Sequence, residues 1–135
     1  MPYPYNEKAS ARAVDAEVAA AKAKAAREHK LLIVDLGGKW CGDCRVLYGT
    51  MQLPEVKRFV RDHYVVMTVD VGRFDKNLQV PAACGITKRL EGVPALLILD
   101  PKTNKLLDAG HVAALADAGQ MTPQALADWL AQWTS

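Results

Sequence analysis

Two cysteines separated by two residues, Cys41 and Cys44, follow closely on the apolar run Leu31–Leu36. An apolar run of this length without polar alternation predicts a strand buried on both faces of a sheet. A pair of glycines ends this strand, and residues 45–51 predict a helix. The cysteines therefore lie where a buried strand turns into a helix, which favours folds that alternate strands with helices.

The remaining chain predicts further helices and strands. Residues 8–29 are rich in Ala, Lys, Glu and Arg, with apolar residues at helical spacing, and predict a long first helix. The other predicted elements are helices over 54–60 and 122–133, the latter with Thr122 as N-cap, a short helical segment within 75–84, strands over 64–70 and 95–99, and a hairpin partner strand at Leu106 and Leu107.

This order predicts an α/β fold with a mixed sheet, because helical crossovers join parallel strands whereas a tight turn joins antiparallel ones. We expect three layers, with a central sheet of about four strands flanked by helices and an extra N-terminal helix. The length of 135 residues is typical of one domain. Residues 1–30 form its N-terminal extension and helix, and residues 31–135 form its core.

Charge and hydropathy restrict the expected partners. The 17 basic and 15 acidic residues leave a net charge of +2 and form no long run of like charge, so we expect no nucleic acid partner. No stretch reaches the roughly 18 apolar residues of a membrane span, and residues 1–30 lack the apolar core of a signal peptide. We expect a monomer, periplasmic if a signal peptide was removed and cytoplasmic otherwise.

The first turn of a helix stabilises an anion, because its backbone N–H groups are unpaired and the helix dipole is positive there. A thiolate is therefore favoured at Cys41, and the thiolate is the species that attacks a disulfide. Cys44, one turn further on, is positioned to resolve the mixed disulfide that results. An inert disulfide or a pair of idle thiols is the alternative interpretation.

The same cysteine spacing occurs in metal and haem sites. A closed zinc site needs four ligands, but the sequence has no second pair of this kind, and His29, His63 and His111 are scattered. Haem attachment requires a histidine directly after the second cysteine, where this chain has Arg45. We therefore expect no metal and no organic cofactor.

Several motifs in combination resemble the thioredoxin superfamily: Val34-Asp35, Lys39-Trp40-Cys41-Gly42-Asp43-Cys44 and Gly92-Val93-Pro94-Ala95. The resemblance extends from about residue 31 to the C-terminus. It implies a thioredoxin-like fold and a thiol–disulfide oxidoreductase, either a reductase or an isomerase, that acts on protein disulfides and exchanges electrons with a donor or acceptor. It also implies that Cys41 is the exposed nucleophile, Cys44 the resolving thiol, and Pro94 a cis-proline facing them.

Trp40, Val93 and Pro94 are the expected substrate-binding residues. A cis bond before Pro94 would present the backbone of Val93 to an extended substrate, which then pairs as an added strand. An ordinary trans proline at the start of a strand is the alternative. Trp40 is either part of an apolar rim that meets the partner or a packing residue.

Asp35 lies at the position where thioredoxins have a buried carboxylate that assists the resolving cysteine. Burial should raise its pKa and make it a proton acceptor for Cys44 near neutral pH. A structural aspartate held by backbone N–H groups is the alternative. Val66 stands where the resemblance places a lysine near this acid, so we expect proton transfer to depend on water.

Asp43 and Cys84 bear on the direction and the regulation of the reaction, which the sequence leaves open. The charge of Asp43, between the paired cysteines, disfavours the Cys41 thiolate and favours a more reducing couple. Cys84 is either a small core residue or a regulatory thiol.

A module that keeps this fold and binds a partner without turnover is the alternative to an enzyme.

Overall fold

The computed structural model describes residues 5–134 of the chain. The start of the predicted N-terminal extension and the final residue lie outside the described residues. The elements follow in the order α1 (Ala11–Glu28), β1 (Leu31–Gly37), α2 (Gly42–Met51), α3 (Pro54–His63), β2 (Tyr64–Asp70), α4 (Gln79–Ala83), β3 (Ala95–Leu99) and α5 (Pro123–Ala131).

The three strands form a mixed sheet with the order β2-β1-β3. Strand β1 is central, pairs in parallel with β2, and pairs antiparallel with β3. In this register Asp35 has Thr68 on one side and Leu96 on the other. The predicted mixed α/β sheet, with β1 buried at its centre, is therefore confirmed.

The expected fourth strand is not present in the described part of the chain. A turn returns the chain beside β3, where Leu106 makes a single bridge to Leu99 and the Leu107 N–H donates to the carbonyl oxygen of Ile98 at 2.8 Å. Beyond that point the Asp108 carboxylate, rather than a backbone carbonyl, accepts from the N–H of Ile98 at 3.0 Å. A side chain thus replaces the next rung of the ladder, and strand pairing stops.

The helices cover both faces of the sheet and complete the predicted three layers. Alternate residues of β1 point to opposite faces, as the strand geometry requires. Leu32, Val34 and Leu36 pack in the cluster that includes residues of α1. Ile33 packs in the other cluster, together with residues of α2, α3 and α5. The core therefore consists of two layers of side chains, one on each face of the sheet.

Local signals account for the ends of several elements. The hydroxyl of Thr122 accepts from the backbone N–H of Ala125 at 3.1 Å, which confirms the predicted cap of α5. Pro54 occupies the first turn of α3, where its missing N–H removes no helical hydrogen bond. Among the described residues, no helix combines the length and apolar character that crossing a membrane requires.

Candidate active site

Cys41 is the N-cap residue of α2, in the connection between the end of β1 and that helix. Its Sγ accepts a hydrogen bond from the backbone N–H of Cys44 at 3.1 Å. The same thiol donates to the carbonyl oxygen of Val93 at 3.4 Å. Both cysteines of the pair are free thiols. The predicted placement of the pair at a helix start is therefore what the structure has.

The prediction that Cys41 is exposed is wrong. Only 4% of Cys41 is exposed, and Cys44 is fully buried. The N-cap conformation turns the Cys41 side chain back toward the first turn of α2, and the carbonyl of Val93 approaches it from the other side. Both contacts are made at the sulfur and are consistent with its low exposure.

The two thiols have opposite shifts of pKa. The hydrogen bond from the Cys44 thiol lowers the pKa of Cys41, although burial and the charge of Asp43 act against it. The hydrogen bond to Cys41 and then burial raise the pKa of Cys44 far above its ordinary value. When the pair loses one proton, the negative charge therefore resides on Cys41 while Cys44 remains a thiol.

Asp43 ties the cysteine turn to a later segment of the chain. Its Oδ1 accepts from the backbone N–H of Gly119 at 2.8 Å, within the 3-10 turn at residues 118–120. A side chain at position 119 would meet this oxygen at 2.9 Å, so a glycine permits the approach. Held in this way, the carboxylate stays beside the dithiol and raises the pKa of Cys41, in the direction predicted from its charge.

Asp35 is deeply buried in β1, with 1% of the residue exposed. Burial raises the pKa of its carboxyl to about 7, while the hydrogen bond from Tyr5 opposes that rise. The Tyr5 hydroxyl donates to Asp35 Oδ1 at 2.9 Å. Within the described residues this hydroxyl, rather than the backbone N–H groups considered above, is the partner of the carboxylate.

Tyr5 is the residue of this site that sequence reasoning missed. It lies 30 residues before Asp35, ahead of the first helix, where no periodicity or spacing signals a contact with the active site. Val66 was expected beside Asp35, but it lies opposite Ile33, and Thr68 lies opposite Asp35. The neighbour of the carboxylate therefore comes from the N-terminal segment and not from the expected strand position.

A cavity of about 560 Å³ extends to Asp35 from the side of the edge strand β2. Thr68 and Met67 of that strand and Tyr48 and Met51 of α2 line it near the carboxylate. A cavity of this size accommodates water molecules, which need polar partners such as a carboxylate and hydroxyls. The cavity therefore has room for the water that proton exchange between Asp35 and solvent would require.

The peptide bond between Val93 and Pro94 is cis, as predicted. The bond immediately precedes β3, and both residues are buried. Because the carbonyl of Val93 accepts from the Cys41 thiol, this loop faces the dithiol directly. The backbone of the loop is thus within reach of any group bound at the Cys41 sulfur.

Trp40 is exposed yet held in place beside the cysteine pair. It is 42% exposed, and its indole Nε1–H donates to the carbonyl oxygen of Gly72 at 2.7 Å. Its ring lies 5.9 Å from that of Phe74, and the guanidinium of Arg73 stacks over it at 5.3 Å. The side chain therefore has packing contacts and also presents a surface next to the dithiol.

Cys84 caps the C-terminal end of α4 and is half-buried. It packs against the core cluster on the α1 face of the sheet. Burial raises the pKa of its thiol, which lowers the fraction of reactive thiolate. These properties favour the interpretation of Cys84 as a small core residue.

Comparison with known proteins agrees with the observed fold. A family model described as thioredoxin-like matches residues 13–101 of the chain. Because this match covers more than half of its length, the chain belongs to the thioredoxin-like family. A search of curated proteins found no match.

Solved structures extend the comparison. A disulphide isomerase from Xylella fastidiosa Temecula1 is 31% identical with a TM-score of 0.86, over 100% of this chain and 99% of that one. A thioredoxin from Thermus thermophilus is 22% identical with a TM-score of 0.47, over 63% of this chain and 62% of that one. A mutant thioredoxin from Halobacterium salinarum NRC-1 is 17% identical with a TM-score of 0.47, over 100% and 96% of the two chains.

The family match, the high similarity to the Xylella protein and the Cys41–Cys44 pair together support one general activity. The protein is a thiol–disulfide oxidoreductase in this broad sense.

Proposed function

We propose that the protein reduces or isomerises disulfides in protein substrates, with Cys41 as nucleophile and Cys44 as resolving thiol. The observation that carries this proposal is the asymmetry of the pair. The pKa of Cys41 is lowered and that of Cys44 is raised, although the two thiols share one helical turn. Such asymmetry assigns the attack to one sulfur and reserves the other for the second step.

The reaction balances through two exchanges. The Cys41 thiolate attacks one sulfur of the substrate disulfide, a new S–S bond forms, and the second substrate sulfur leaves as a thiolate that takes up a proton. Cys44 then loses its proton and attacks Cys41, which releases the first substrate sulfur. The substrate gains two electrons and two protons, and the enzyme is left with a Cys41–Cys44 disulfide that an electron donor must reduce. In isomerisation, a substrate thiol attacks the mixed disulfide instead, and the enzyme returns reduced.

The loop at Val93 and Pro94 supports a protein rather than a small-molecule substrate. Its backbone faces the Cys41 sulfur, as the hydrogen bond to the Val93 carbonyl indicates. An extended substrate segment can pair with such a backbone as an added strand and hold its disulfide in line for attack. We propose Val93, Pro94 and Trp40 as the substrate-binding residues of a single domain spanning residues 1–135.

Trapping of the intermediate tests this proposal. We expect Cys44→Ser to accumulate a mixed disulfide with an insulin-type substrate, because the first attack proceeds and the second thiol is absent. Cys41→Ser should trap nothing, and Cys84→Ser, the matched control, should reduce the substrate as the natural chain does. Equal trapping by Cys41→Ser and Cys44→Ser would contradict the division of roles.

A binding module without turnover is the second candidate, and the burial of Cys41 is the observation that favours it. The two candidates differ in one measurement. An enzyme reduces insulin-type disulfides repeatedly when a dithiol reductant is supplied. A binding module forms a stable complex with its partner, and that complex persists when both cysteines are replaced by serine.

A further inference from the structure

The hydroxyl of Tyr5 lies between the two groups that exchange a proton in the resolving step. It donates to Asp35 Oδ1 at 2.9 Å, and the Cys44 side chain is among the neighbouring groups that raise its pKa. Gly37 marks the same meeting point, because a side chain there would come within 2.6 Å of the Tyr5 hydroxyl and 2.7 Å of Cys44 Sγ. The absence of a Cβ at Gly37 therefore lets the hydroxyl and the thiol converge.

The protonation state of Tyr5 suits a relay and not a base. Burial, followed by the charges of Asp35 and Cys44, raises the pKa of Tyr5 far above its ordinary value. The phenol thus stays a neutral O–H group that donates one hydrogen bond and can accept another. A group of this kind passes a proton along without holding a charge.

We infer that the Tyr5 hydroxyl relays the Cys44 proton to Asp35 when the mixed disulfide is resolved, an inference that rests on the proposed function. The Cys44 S–H proton moves to the Tyr5 oxygen as the Tyr5 O–H proton moves to Asp35 Oδ1. The freed electron pair of Cys44 forms the S–S bond with Cys41, and the substrate sulfur leaves with the pair of the broken bond. Asp35 ends protonated, and Tyr5 is unchanged.

Tyr5→Phe tests the relay, because it removes the hydroxyl and keeps the ring. Its matched control is Tyr64→Phe, because both tyrosines are 3% exposed and the Tyr64 hydroxyl makes a buried hydrogen bond to the carbonyl oxygen of Leu130 at 2.6 Å. Reduced protein is mixed with a disulfide peptide and quenched with acid, and mass spectrometry follows the mixed disulfide and the Cys41–Cys44 disulfide.

We expect Tyr5→Phe to slow the decay of the mixed disulfide about a hundredfold, at the lower end of the usual range for a lost proton-transfer group. In the natural chain this rate should rise with pH as Asp35 loses its proton, and Tyr5→Phe should abolish that rise. Adding Asp35→Asn to Tyr5→Phe should slow the step little further, because both groups serve one path. Tyr64→Phe should match the natural chain.

If Tyr5→Phe has the same rate and pH profile as the natural chain, the relay is wrong and the proposed function still stands. An equal slowing in Tyr64→Phe would also overturn it, since the effect would then be structural. If the natural chain forms no mixed disulfide, the proposed function fails, and the relay fails with it.

A second inference concerns four side chains beside the dithiol, which we call the cationic rim: Arg73, Trp40, Phe74 and Arg89. The guanidinium of Arg73 lies over the ring of Trp40, the two rings are 5.9 Å apart, and the guanidinium of Arg89 lies 4.6 Å from the centre of the Phe74 ring. The rim therefore begins at the residue before Cys41 and ends at the loop that leads toward Pro94.

Both guanidiniums of the rim remain available to a partner. The ion pairs Lys30–Glu28 and Arg61–Asp62 involve neither rim arginine, and neither arginine pairs with a carboxylate among the described residues. The nearby carboxylate of Asp75 accepts instead from the backbone N–H of Arg73 at 3.0 Å. Stacking on an aromatic ring fixes a guanidinium while its N–H groups stay free to bind a carboxylate.

An apolar cavity of about 380 Å³ continues the rim. Thr87, Lys88 and Arg89 are its polar lining residues, and the others are apolar: Phe74, Leu78, Pro81, Ala82, Ile86 and Leu90. Its size suits one large apolar side chain. The rim and cavity thus present positive charge next to an apolar pocket.

We propose that the cationic rim selects protein substrates in which acidic residues flank the target cysteine, with an apolar residue entering the cavity. This proposal also rests on the proposed function. The test compares two disulfide peptides that share one apolar residue and differ only in their flanks, glutamate in one and lysine in the other. An insulin-type protein disulfide reports separately whether the natural chain reduces protein disulfides at all.

We expect a kcat/KM about fivefold or more higher for the glutamate peptide, and a ratio that falls as salt screens the charges. Arg73→Gln combined with Arg89→Gln should abolish the ratio, whereas Arg58→Gln, at an exposed position on α3, should keep it. Equal rates for the two peptides, or the same loss in Arg58→Gln, would overturn the proposal. No reduction of the insulin-type disulfide would instead refute the proposed function.

Discussion

Asp35 lies within β1, and Asp108 lies next to Ile98 of β3. Both carboxylates are buried, yet their hydrogen-bond partners differ. Asp35 receives its hydrogen bond from a side-chain hydroxyl that also reaches Cys44. Asp108 receives its bond from the backbone N–H of Ile98. Burial raises the pKa of both, to about 7 and about 6 respectively. Burial alone therefore does not distinguish a carboxylate that can take part in proton transfer. The hydrogen-bond partner matters as well, because it determines which group can exchange a proton with the carboxylate.

The largest effect is expected from Asp35→Asn. The amide keeps an oxygen for the Tyr5 hydroxyl but cannot accept the Cys44 proton, so the resolving step should slow by about a hundredfold. Alkylation of Cys41 should change little. Asp108→Asn, which keeps an acceptor for Ile98, is the matched control, and quenched single-turnover reactions measure both. If both variants slow equally, the distinction between the two carboxylates is lost.

Asp108→Ala should reduce stability and spare the chemistry. It leaves the N–H of Ile98 buried without its partner, which costs about 1–3 kcal/mol of unfolding free energy. Urea unfolding of the reduced protein measures this loss. Loss of turnover at natural stability would instead place Asp108 in the reaction.

Stability should depend on pH through both carboxyls. The pKa of Asp35 rises from 3.8 to about 7 on folding, so the folded state binds more protons than the unfolded state within that window. The contribution of Asp35 is therefore greatest below about pH 4 and declines as pH increases toward 7. Asp35→Asn should make the decline shallower by a few kcal/mol at most, and Asp108, with its pKa raised to about 6, contributes to the slope that remains. Urea midpoints across this range test the sign, and a steeper decline in the variant would contradict it.

The smallest effect is expected from Asp43→Asn. The amide retains an oxygen for the N–H of Gly119 and removes the charge that raises the pKa of Cys41. The alkylation midpoint of Cys41 should therefore move to lower pH, and the couple should become less reducing. A midpoint that moves upward would mean that the contact with Gly119, and not the charge, sets the effect.

Local signals in the sequence predicted much of the framework. The apolar run at Leu31–Leu36 gave a central strand, the Thr122-Pro123 pair gave a capped helix, and the cis bond before Pro94 followed from the family resemblance. The raised pKa of Asp35 followed from burial in that strand.

What the sequence did not predict depends on long-range contacts. Tyr5 reaches Asp35 only after the N-terminal segment has packed on the sheet, and nothing near Tyr5 in the chain signals this. The burial of Cys41 depends on a carbonyl 52 residues away. The fourth strand failed because the Asp108 side chain occupies the N–H that further pairing would use.

The proposed mechanism requires that Cys41 alone acts as the nucleophile. Alkylation of the reduced protein with iodoacetamide, followed by mass mapping at a series of pH values, tests it most directly. Cys41 should react first, with a midpoint below the ordinary value of 9.0, because its pKa is lowered. Cys44 and Cys84 should react slowly, because the pKa of each is raised. First reaction at Cys44 or Cys84, or a Cys41 midpoint above the ordinary value, would contradict the account.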